Sequence, residues 1–344
     1  MTEQNQHSSD LKPAWSEVPT AVVENLSRIV KDRIDSGRIV QGGYGPSAAY
    51  VVRTAGGRQF FCKGNHPEVP PQFRAAVLRE RFLYEQLPEL DSFRPSMQGF
   101  VECGDWELLV LEFLDRGIPV PPWSEATFQA CVELLARLHT SMPSHARRVL
   151  ANGVWSQVSQ AQVGWRYLAL HDEEFGRLRS LFVDPNAGGR WLERYISTFG
   201  DLEKEAASLQ APSSWIHCDV RSDNLIFAHD GKPKLLDWPM LSLGPALLDL
   251  AFFLPSVAGE GGPSPGQGLA LYERNVGRKF DEHGLRVIVA IVAGFFAARA
   301  GEPPMPELPR LRWLQSLYLA PCLIWVSSLL GIDPPPPLKS PSGK

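Results

Sequence analysis

The sequence predicts an α+β chain in two parts: a five-stranded sheet with one intercalated helix, then a larger, mainly helical part. Three observations lead there. Residues 39–64 have β texture, with Ile39-Val40, Ala49-Tyr50-Val51-Val52 and Phe60-Phe61-Cys62-Lys63 set apart by glycine-bearing turns at 42–45 and 56–57. Two further apolar runs, at 99–102 and 108–113, follow a helical stretch at 72–87 and bring the strands to five. Beyond Leu114 the apolar spacing shifts to threes and fours, first in Phe128, Val132, Leu135 and Leu138.

Taken in order, residues 1–14 form a polar leader expected to be mobile, without the apolar core of a secretory signal. Val22, Val23, Leu26, Ile29, Val30 and Ile34 recur near helical spacing, so residues 20–34 read as an amphipathic helix laid on the sheet. The first part is expected over residues 15–113 and the second over 114–332. Residues 333–344, with four consecutive prolines followed by Ser, Gly and Lys, read as a flexible tail. Apolar runs at 287–298 and 319–332 fall short of the ~18 residues that cross a bilayer, and Pro321, Ser327 and Ser328 interrupt the second. Both read as buried helices, and no membrane partner is expected.

Composition narrows the function classes. At 344 residues, 44% hydrophobic and 21% charged, the chain is long enough for two domains and ordinary for a globular protein. A net charge of -4 gives no general basic field for a polyanion, which argues against nucleic acid as a partner. The five cysteines, Cys62, Cys103, Cys131, Cys218 and Cys322, are widely spaced and form no C-x-x-C pair, as expected of reduced thiols in the cytoplasm. No repeat of the solenoid kind is visible.

The chemistry concentrates at residues 215–227, Trp-Ile-His-Cys-Asp-Val-Arg-Ser-Asp-Asn-Leu-Ile-Phe, followed by Pro233-Lys234-Leu235-Leu236-Asp237-Trp238. Two short apolar strands bracket a polar loop. Phosphoryl transfer needs a carboxylate to orient and deprotonate the acceptor hydroxyl, and oxygen ligands to fix Mg2+ on the phosphates. An Asp two residues after His217, an Asn five residues after that Asp and a second Asp at the end of the next strand supply both. The plain alternative is a hairpin with a polar turn, in which Asp219, Asp223 and Asn224 only satisfy backbone groups.

His217-x-Asp219-x4-Asn224 followed by Leu236-Asp237-Trp238 resembles the aminoglycoside phosphotransferase and choline kinase family, related in fold to protein kinases. Gly244 with Leu248-Asp249-Leu250-Ala251 and the run Leu135-Ala136-Arg137-Leu138-His139 extend the likeness, which covers residues 42–251. The resemblance implies a bilobal protein-kinase-like fold, with a five-stranded antiparallel sheet in the N-lobe, and transfer of the ATP γ-phosphoryl group to a hydroxyl of a small acceptor. It implies Asp219 as catalytic base, Asn224 and Asp237 as Mg2+ ligands, His217 as organiser of the loop and Asp249 as buried scaffold. Residues 42–47, Gly-Gly-Tyr-Gly-Pro-Ser, depart from the protein-kinase glycine pattern, yet Gly43, Gly45 and Ser47 stand where backbone N–H groups and a hydroxyl can meet phosphates. Lys63 ends a strand and is expected on the α- and β-phosphates, with Glu80 as its carboxylate partner and Glu85 as the rival. Glu112-Phe113-Leu114 is expected to be the interlobe hinge, whose backbone groups at Glu112 and Leu114 bind the adenine edge; such groups leave GTP open beside ATP.

Asp237-Trp238-Pro239 stands in place of the protein-kinase Asp-Phe-Gly, and eleven residues separate Asp237 from Asp249, too few for a peptide-docking segment. A small-molecule acceptor is therefore expected, bound by a monomer or a homodimer. Trp123, Trp155, Trp165 and Trp191 lie in the stretch that resembles the family's acceptor-pocket insert, although they equally suit an ordinary core. A polycationic acceptor would want carboxylates such as Asp172, Glu173, Glu174 or Glu260 around it; a choline-like one would want an aromatic cage. Arg221 has three open roles: phosphate binding, pairing with an acid, or facing water. A silent nucleotide-binding relative is the contrasting reading. It has no chemical need to keep Lys63, Asp219, Asn224 and Asp237 together.

Overall fold

The computed structural model describes residues 12–40, 45–115, 117–150, 154, 164–209, 213–228, 231–305, 308 and 310–341. These residues divide between two compact units, one drawn from Met1–Ile118, Ile226–Pro239 and Met305–Pro309, the other from Pro119–Leu225, Met240–Pro304 and Arg310–Lys344.

The first unit opens with helix α1 (Thr20–Val30), which buries Val22, Leu26 and Val30 at spacings of four. It stops at Lys31, whose left-handed backbone (φ 53°) turns the chain, so Ile34 is the first residue of a strand and not the last of a helix. The strands are β1 (Ile34–Ile39), β2 (Ala48–Thr54), β3 (Gln59–Asn65), β4 (Met97–Cys103) and β5 (Trp106–Glu112), with α2 (Pro71–Gln86) between β3 and β4. Their order is β1-β2-β3-β5-β4, antiparallel throughout.

Because side chains alternate across a strand, β3 serves two cores. Phe60 and Cys62 join the α1 residues Val22, Leu26 and Val30 on one face. On the other, Phe61 packs with Leu109, Leu111 and the α2 residues Val77 and Tyr84. Lys63 shares the parity of Phe61, which directs it to the α2 side. Gly64 follows because a Cβ there would lie 1.9 Å from the carbonyl oxygen of Glu107 on β5.

The polar leader is partly held. Lys12 is buried and the Pro13 carbonyl accepts from the Tyr50 hydroxyl at 2.8 Å, while residues 1–11 lie outside the described residues. The glycine loop is described only from Gly45, so Gly43 also falls outside.

The second unit contains α3 (Glu125–Thr140), α4 (Asp172–Ser180), α5 (Pro185–Lys204), α6 (Ala246–Gly259), α7 (Pro265–Val276), α8 (Glu282–Arg299) and α9 (Leu311–Leu330). A reciprocal Ser124–Thr127 cap starts α3. Strand β6 (Ser213–Ile216) pairs antiparallel with β9 (Ser242–Pro245). The short ribbon of β7 (Leu225–Phe227) and β8 (Pro233–Leu235), which from Ile226 onward belongs to the first unit, follows the candidate catalytic loop in the chain.

Two expectations change here. The second apolar run is not broken at Pro321: α9 continues through it for 20 residues, long and apolar enough by length and composition to cross a membrane, with half of that window buried in the fold. Pro321 leaves the Leu317 carbonyl without its helical donor, and the Cβ-less face of Gly259 on α6 comes against that carbonyl. The proline-rich segment after α9 is also fixed where it is described, over residues 333–341. The Asp333 carboxylate accepts from Tyr195 (2.9 Å) and Arg194 (2.8 Å), the Pro337 carbonyl from the Val183 N–H (2.9 Å), and the Lys339 N–H donates to the Leu181 carbonyl (2.8 Å). Prolines lose little entropy on docking, and every bond used here comes from a carbonyl, a carboxylate or a non-proline N–H.

Candidate active site

In the first unit, α2 buries Val77, Glu80, Leu83 and Tyr84, so Glu80 lies on the inward stripe of the helix. Its carboxylate meets Lys63 Nζ at 2.7 Å, and Lys63 also contacts Asp237 Oδ1 at 2.9 Å. Glu85, one turn on, faces outward and pairs with Arg81 at 2.8 Å, so the structure brings Glu80 and not its rival to Lys63. The Trp238 N–H donates to the other Glu80 oxygen at 3.3 Å. Burial alone lowers the Lys63 pKa, but the Asp237 and Glu80 carboxylates outweigh it and hold the ammonium well above its ordinary value. Burial and the Asp237 charge push Glu80 upward, against the pull of Lys63 at 2.7 Å. Asp237 adopts φ 66°, a region costly for a residue with a Cβ, and its side chain is 47% exposed.

Gly45 and Ser47 are described, half-buried, in the bend leading into β2. Glu112 ends β5 with its N–H on the Ser96 carbonyl (2.8 Å) and its carboxylate accepting from the Ser96 N–H and hydroxyl (3.1 Å each), while Phe113 and Leu114 leave the strand. One of the hinge groups assigned to adenine is thus already used within the sheet.

In the second unit, β6 delivers the chain to His217, and Asp249 of α6 fixes what comes next. The Asp249 carboxylate accepts the backbone N–H of His217 and of Cys218, each at 2.7 Å, and contacts His139 Nε2 at 3.1 Å, whose Nδ1 meets the Tyr272 hydroxyl at 2.9 Å. Asp249 is fully buried, which by itself raises its pKa. The His139 hydrogen bond and the surrounding donors reverse that and keep it below the ordinary carboxylate value. Held this way, Cys218 takes φ 65° and the loop turns so that Asp219 follows. Buried His217 supports the turn through Nδ1, which the Asp219 N–H approaches at 3.3 Å. Among the described residues, three non-glycine positions have positive φ; Cys218 and Asp237 are two of them.

Asn224 sits in a helical turn at Ser222–Asn224 and spends both amide hydrogens on Asp219, donating to its carbonyl at 2.9 Å and its Oδ2 at 2.8 Å. Nδ2 is thereby turned to the aspartate, and Oδ1 is the atom left to serve a cation. Arg221 takes the acid-pairing role: its Nε lies 3.2 Å from both Asp219 Oδ1 and Asp223 Oδ1. Asp223 is pushed up to about 6, first by burial, with Arg221 opposing and the Asp219 charge adding to it.

Glu260 was singled out in the sequence only as an acidic candidate, but it is a hub. It accepts from the Trp123 indole (2.8 Å), the Ser222 hydroxyl (2.7 Å) and the Tyr318 hydroxyl (3.2 Å), tying the candidate catalytic loop to the residues before α3 and to α9. Trp165 and Trp191 are core residues, Trp165 donating to the Ala290 carbonyl at 2.7 Å; Trp155 lies outside the described residues.

Asp219, Cys218 and Arg221 open onto a cavity of about 780 Å³ within this unit. Its other walls come from α6, α8 and α9 and from residues 164–171 and 203–206. The share of that wall given by Phe252 and Ser256 of α6 and by α8 and α9 belongs to the part of the chain beyond Ala251, where the sequence carries no motif. The legible signal there was only that these helices are apolar on most of their circumference, which reads as burial.

A five-stranded antiparallel lobe with a Lys–Glu pair between strand and helix, and a helical lobe carrying the His-x-Asp-x4-Asn loop, define a bilobal protein-kinase-like fold. The chain belongs to the phosphotransferase enzyme family (APH), whose model matches residues 36–287. Solved structures share the fold. An aminoglycoside phosphotransferase from Alicyclobacillus acidocaldarius aligns with TM-score 0.57 at 18% identity, covering 91% of this chain and 96% of that one. A choline kinase from Streptococcus pneumoniae gives 0.53 at 17%, covering 87% and 98%. A spectinomycin phosphotransferase in complex with ADP and spectinomycin gives 0.54 at 15%, covering 87% and 92%. Among proteins of curated function, no sequence matches the chain.

Proposed function

We propose that this chain is an ATP-dependent kinase that phosphorylates a hydroxyl of a small molecule. The observation that carries the reading is Asp219: a carboxylate fixed by both hydrogens of Asn224, on a loop pinned by Asp249, opening onto a cavity of about 780 Å³. A hairpin whose acids merely satisfy its own backbone has no reason to present one of them to such a cavity. Related folds that bind ADP with spectinomycin, or act as a choline kinase, support the same reading.

In this reading Asp219 orients the acceptor hydroxyl and takes its proton as that oxygen bonds to the γ-phosphorus and ADP leaves. Lys63, kept cationic by Glu80, holds the nucleotide phosphates, with backbone at Gly45 and the Ser47 hydroxyl assisting. Asn224 through Oδ1 and Asp237 through its carboxylate would each supply an oxygen ligand of the kind Mg2+ prefers. Mg2+, when bound, neutralises phosphate charge. His217 and Asp249 stay outside the chemistry and set the position of Asp219.

The test is ADP release by the purified protein with Mg-ATP across a panel of hydroxyl-bearing acceptors. Asp219→Ala is expected to lose about 10²–10⁴-fold in turnover while keeping its Mg-ATP-induced thermal stabilisation. Full activity in that variant would remove Asp219 from the reaction. Nucleotide stabilisation without turnover of any acceptor would favour the silent binder.

A further inference from the structure

Resting on the reading that the cavity beside Asp219 receives the acceptor, we propose that the acceptor is a bulky, largely apolar, uncharged alcohol rather than a polycation or a small amino alcohol. The charges on the lining argue first. Its only carboxylates among the described residues are Asp219 and Glu203, against the cations Arg166, Lys204 and Arg221. Neither carboxylate stands uncommitted: Asp219 is paired with Arg221 at 3.2 Å, and Glu203 accepts the Arg166 backbone N–H at 2.9 Å. A molecule carrying several ammonium groups would surrender its hydration to a wall with no surplus of negative charge.

The acids that the sequence offered for such a partner are elsewhere. Glu174 accepts from the Tyr167 hydroxyl at 3.1 Å, Glu173 pairs with Arg177 along α4, and Asp172 is an exposed residue of the first turn of that helix. Glu260 is occupied by Trp123, Ser222 and Tyr318.

The apolar wall argues second. Phe252, Phe295, Phe296 and Tyr318 line the cavity and pack on one another edge-on, with centroids 5.4 to 5.9 Å apart. Rings engaged edge-to-face with their neighbours make a continuous apolar surface, not a box of open faces around an ammonium. The surface extends outward: Leu170 and Met240 also line the cavity and are 81% and 48% exposed, large apolar side chains left for something to cover. Size argues third. About 780 Å³ lies high in the usual range of roughly 300–1,000 Å³ for drug-sized ligands, so a choline-sized molecule would fill little of it.

The experiment uses the full-length protein and three probes: an uncharged macrocyclic polyol, kanamycin as polycation, and choline. Calorimetric binding and ADP release are both read. The polyol is expected to bind, and to be preferred over kanamycin and choline by about 100-fold or more in kcat/KM. Phe295→Asp, which sets a carboxylate on the lining, should weaken polyol binding about tenfold and strengthen kanamycin binding. Should that variant fail to fold, Leu170→Asp, at an 81% exposed position, is expected to shift both affinities the same way by about threefold. Kanamycin or choline turned over in preference to the polyol, no polyol binding at its solubility limit, or affinities unmoved by both variants would each overturn the proposal. Mg-ATP stabilisation is measured alongside. Polyol binding in a protein that Mg-ATP does not stabilise sinks the kinase reading and leaves the cavity's preference standing.

Discussion

At Asp249 a single carboxylate does for the loop what a metal or a disulfide does elsewhere: it fixes two successive backbone N–H groups and a histidine at once. Asp249→Ala strands those donors in a buried place and should destabilise the protein by about 3–5 kcal/mol, read by urea denaturation. The Asp249 pKa is lower in the folded than in the unfolded chain, so its contribution is present above the ordinary carboxylate range and is lost as pH falls through the depressed folded value. The stability gap between wild type and Asp249→Asn should therefore persist down to pH 5 and close only below about pH 4. Cys218 offers a second residue-scale test. Burial raises the thiol pKa of Cys62 to about 12 and also those of Cys131 and Cys322, whereas Cys218 is partly exposed on the cavity wall. In a Cys103→Ser background a maleimide should label Cys218 and abolish turnover, with a bound acceptor slowing the labelling. Full activity after complete labelling would contradict the placement of the cavity.

Helices carry the site by the faces they bury. The α2 stripe could have brought either Glu80 or Glu85 to the sheet; the i, i+3, i+7 positions Val77, Glu80 and Tyr84 decide it, because Val77 and Tyr84 must cover Phe61 and Leu109. The α6–α9 contact rests on a more local accident of chemistry. A Cβ at Gly259 would sit 2.8 Å from the Leu317 carbonyl that Pro321 leaves unbonded in its own helix. Gly259→Ala should cost about 1–3 kcal/mol, measured as a lowered denaturation midpoint. Glu260, which caps α6, tests the link from helix to loop. Glu260→Ala is expected to reduce kcat about tenfold through a displaced Ser222–Asn224 turn, with Mg-ATP stabilisation unchanged. Glu260→Gln, which retains a carbonyl acceptor, should restore most of the loss; absence of rescue would mark the residue as merely structural.

For the whole molecule, the segment after α9 is part of the second unit and not an appendage. Deleting residues 333–344 removes the partners of Arg194, Tyr195, Val183 and Leu181 and should lower stability by about 2–4 kcal/mol, taking roughly 1 kcal/mol per hydrogen bond. A deletion with an unchanged melting temperature would show those contacts to be idle.

The sequence by itself determined the fold class, the number of strands in the sheet and the loop motif, because each rests on local pattern: alternation in 49–52 and 60–63, three-four spacing after Leu114, and His217, Asp219 and Asn224 at fixed offsets. Family likeness added the pairing of Lys63 with Glu80, which strand parity and helix stripe then explain. Other features had no local signature. The left-handed Cys218 and Asp237, the Lys63–Asp237 contact across 174 residues and the docking of residues 333–341 follow from what packs around them. The cavity is the clearest case. Its apolar, cation-rimmed wall is assembled from helices whose sequences say only that they are buried, and which of their faces meet beside Asp219 is a property of tertiary packing alone.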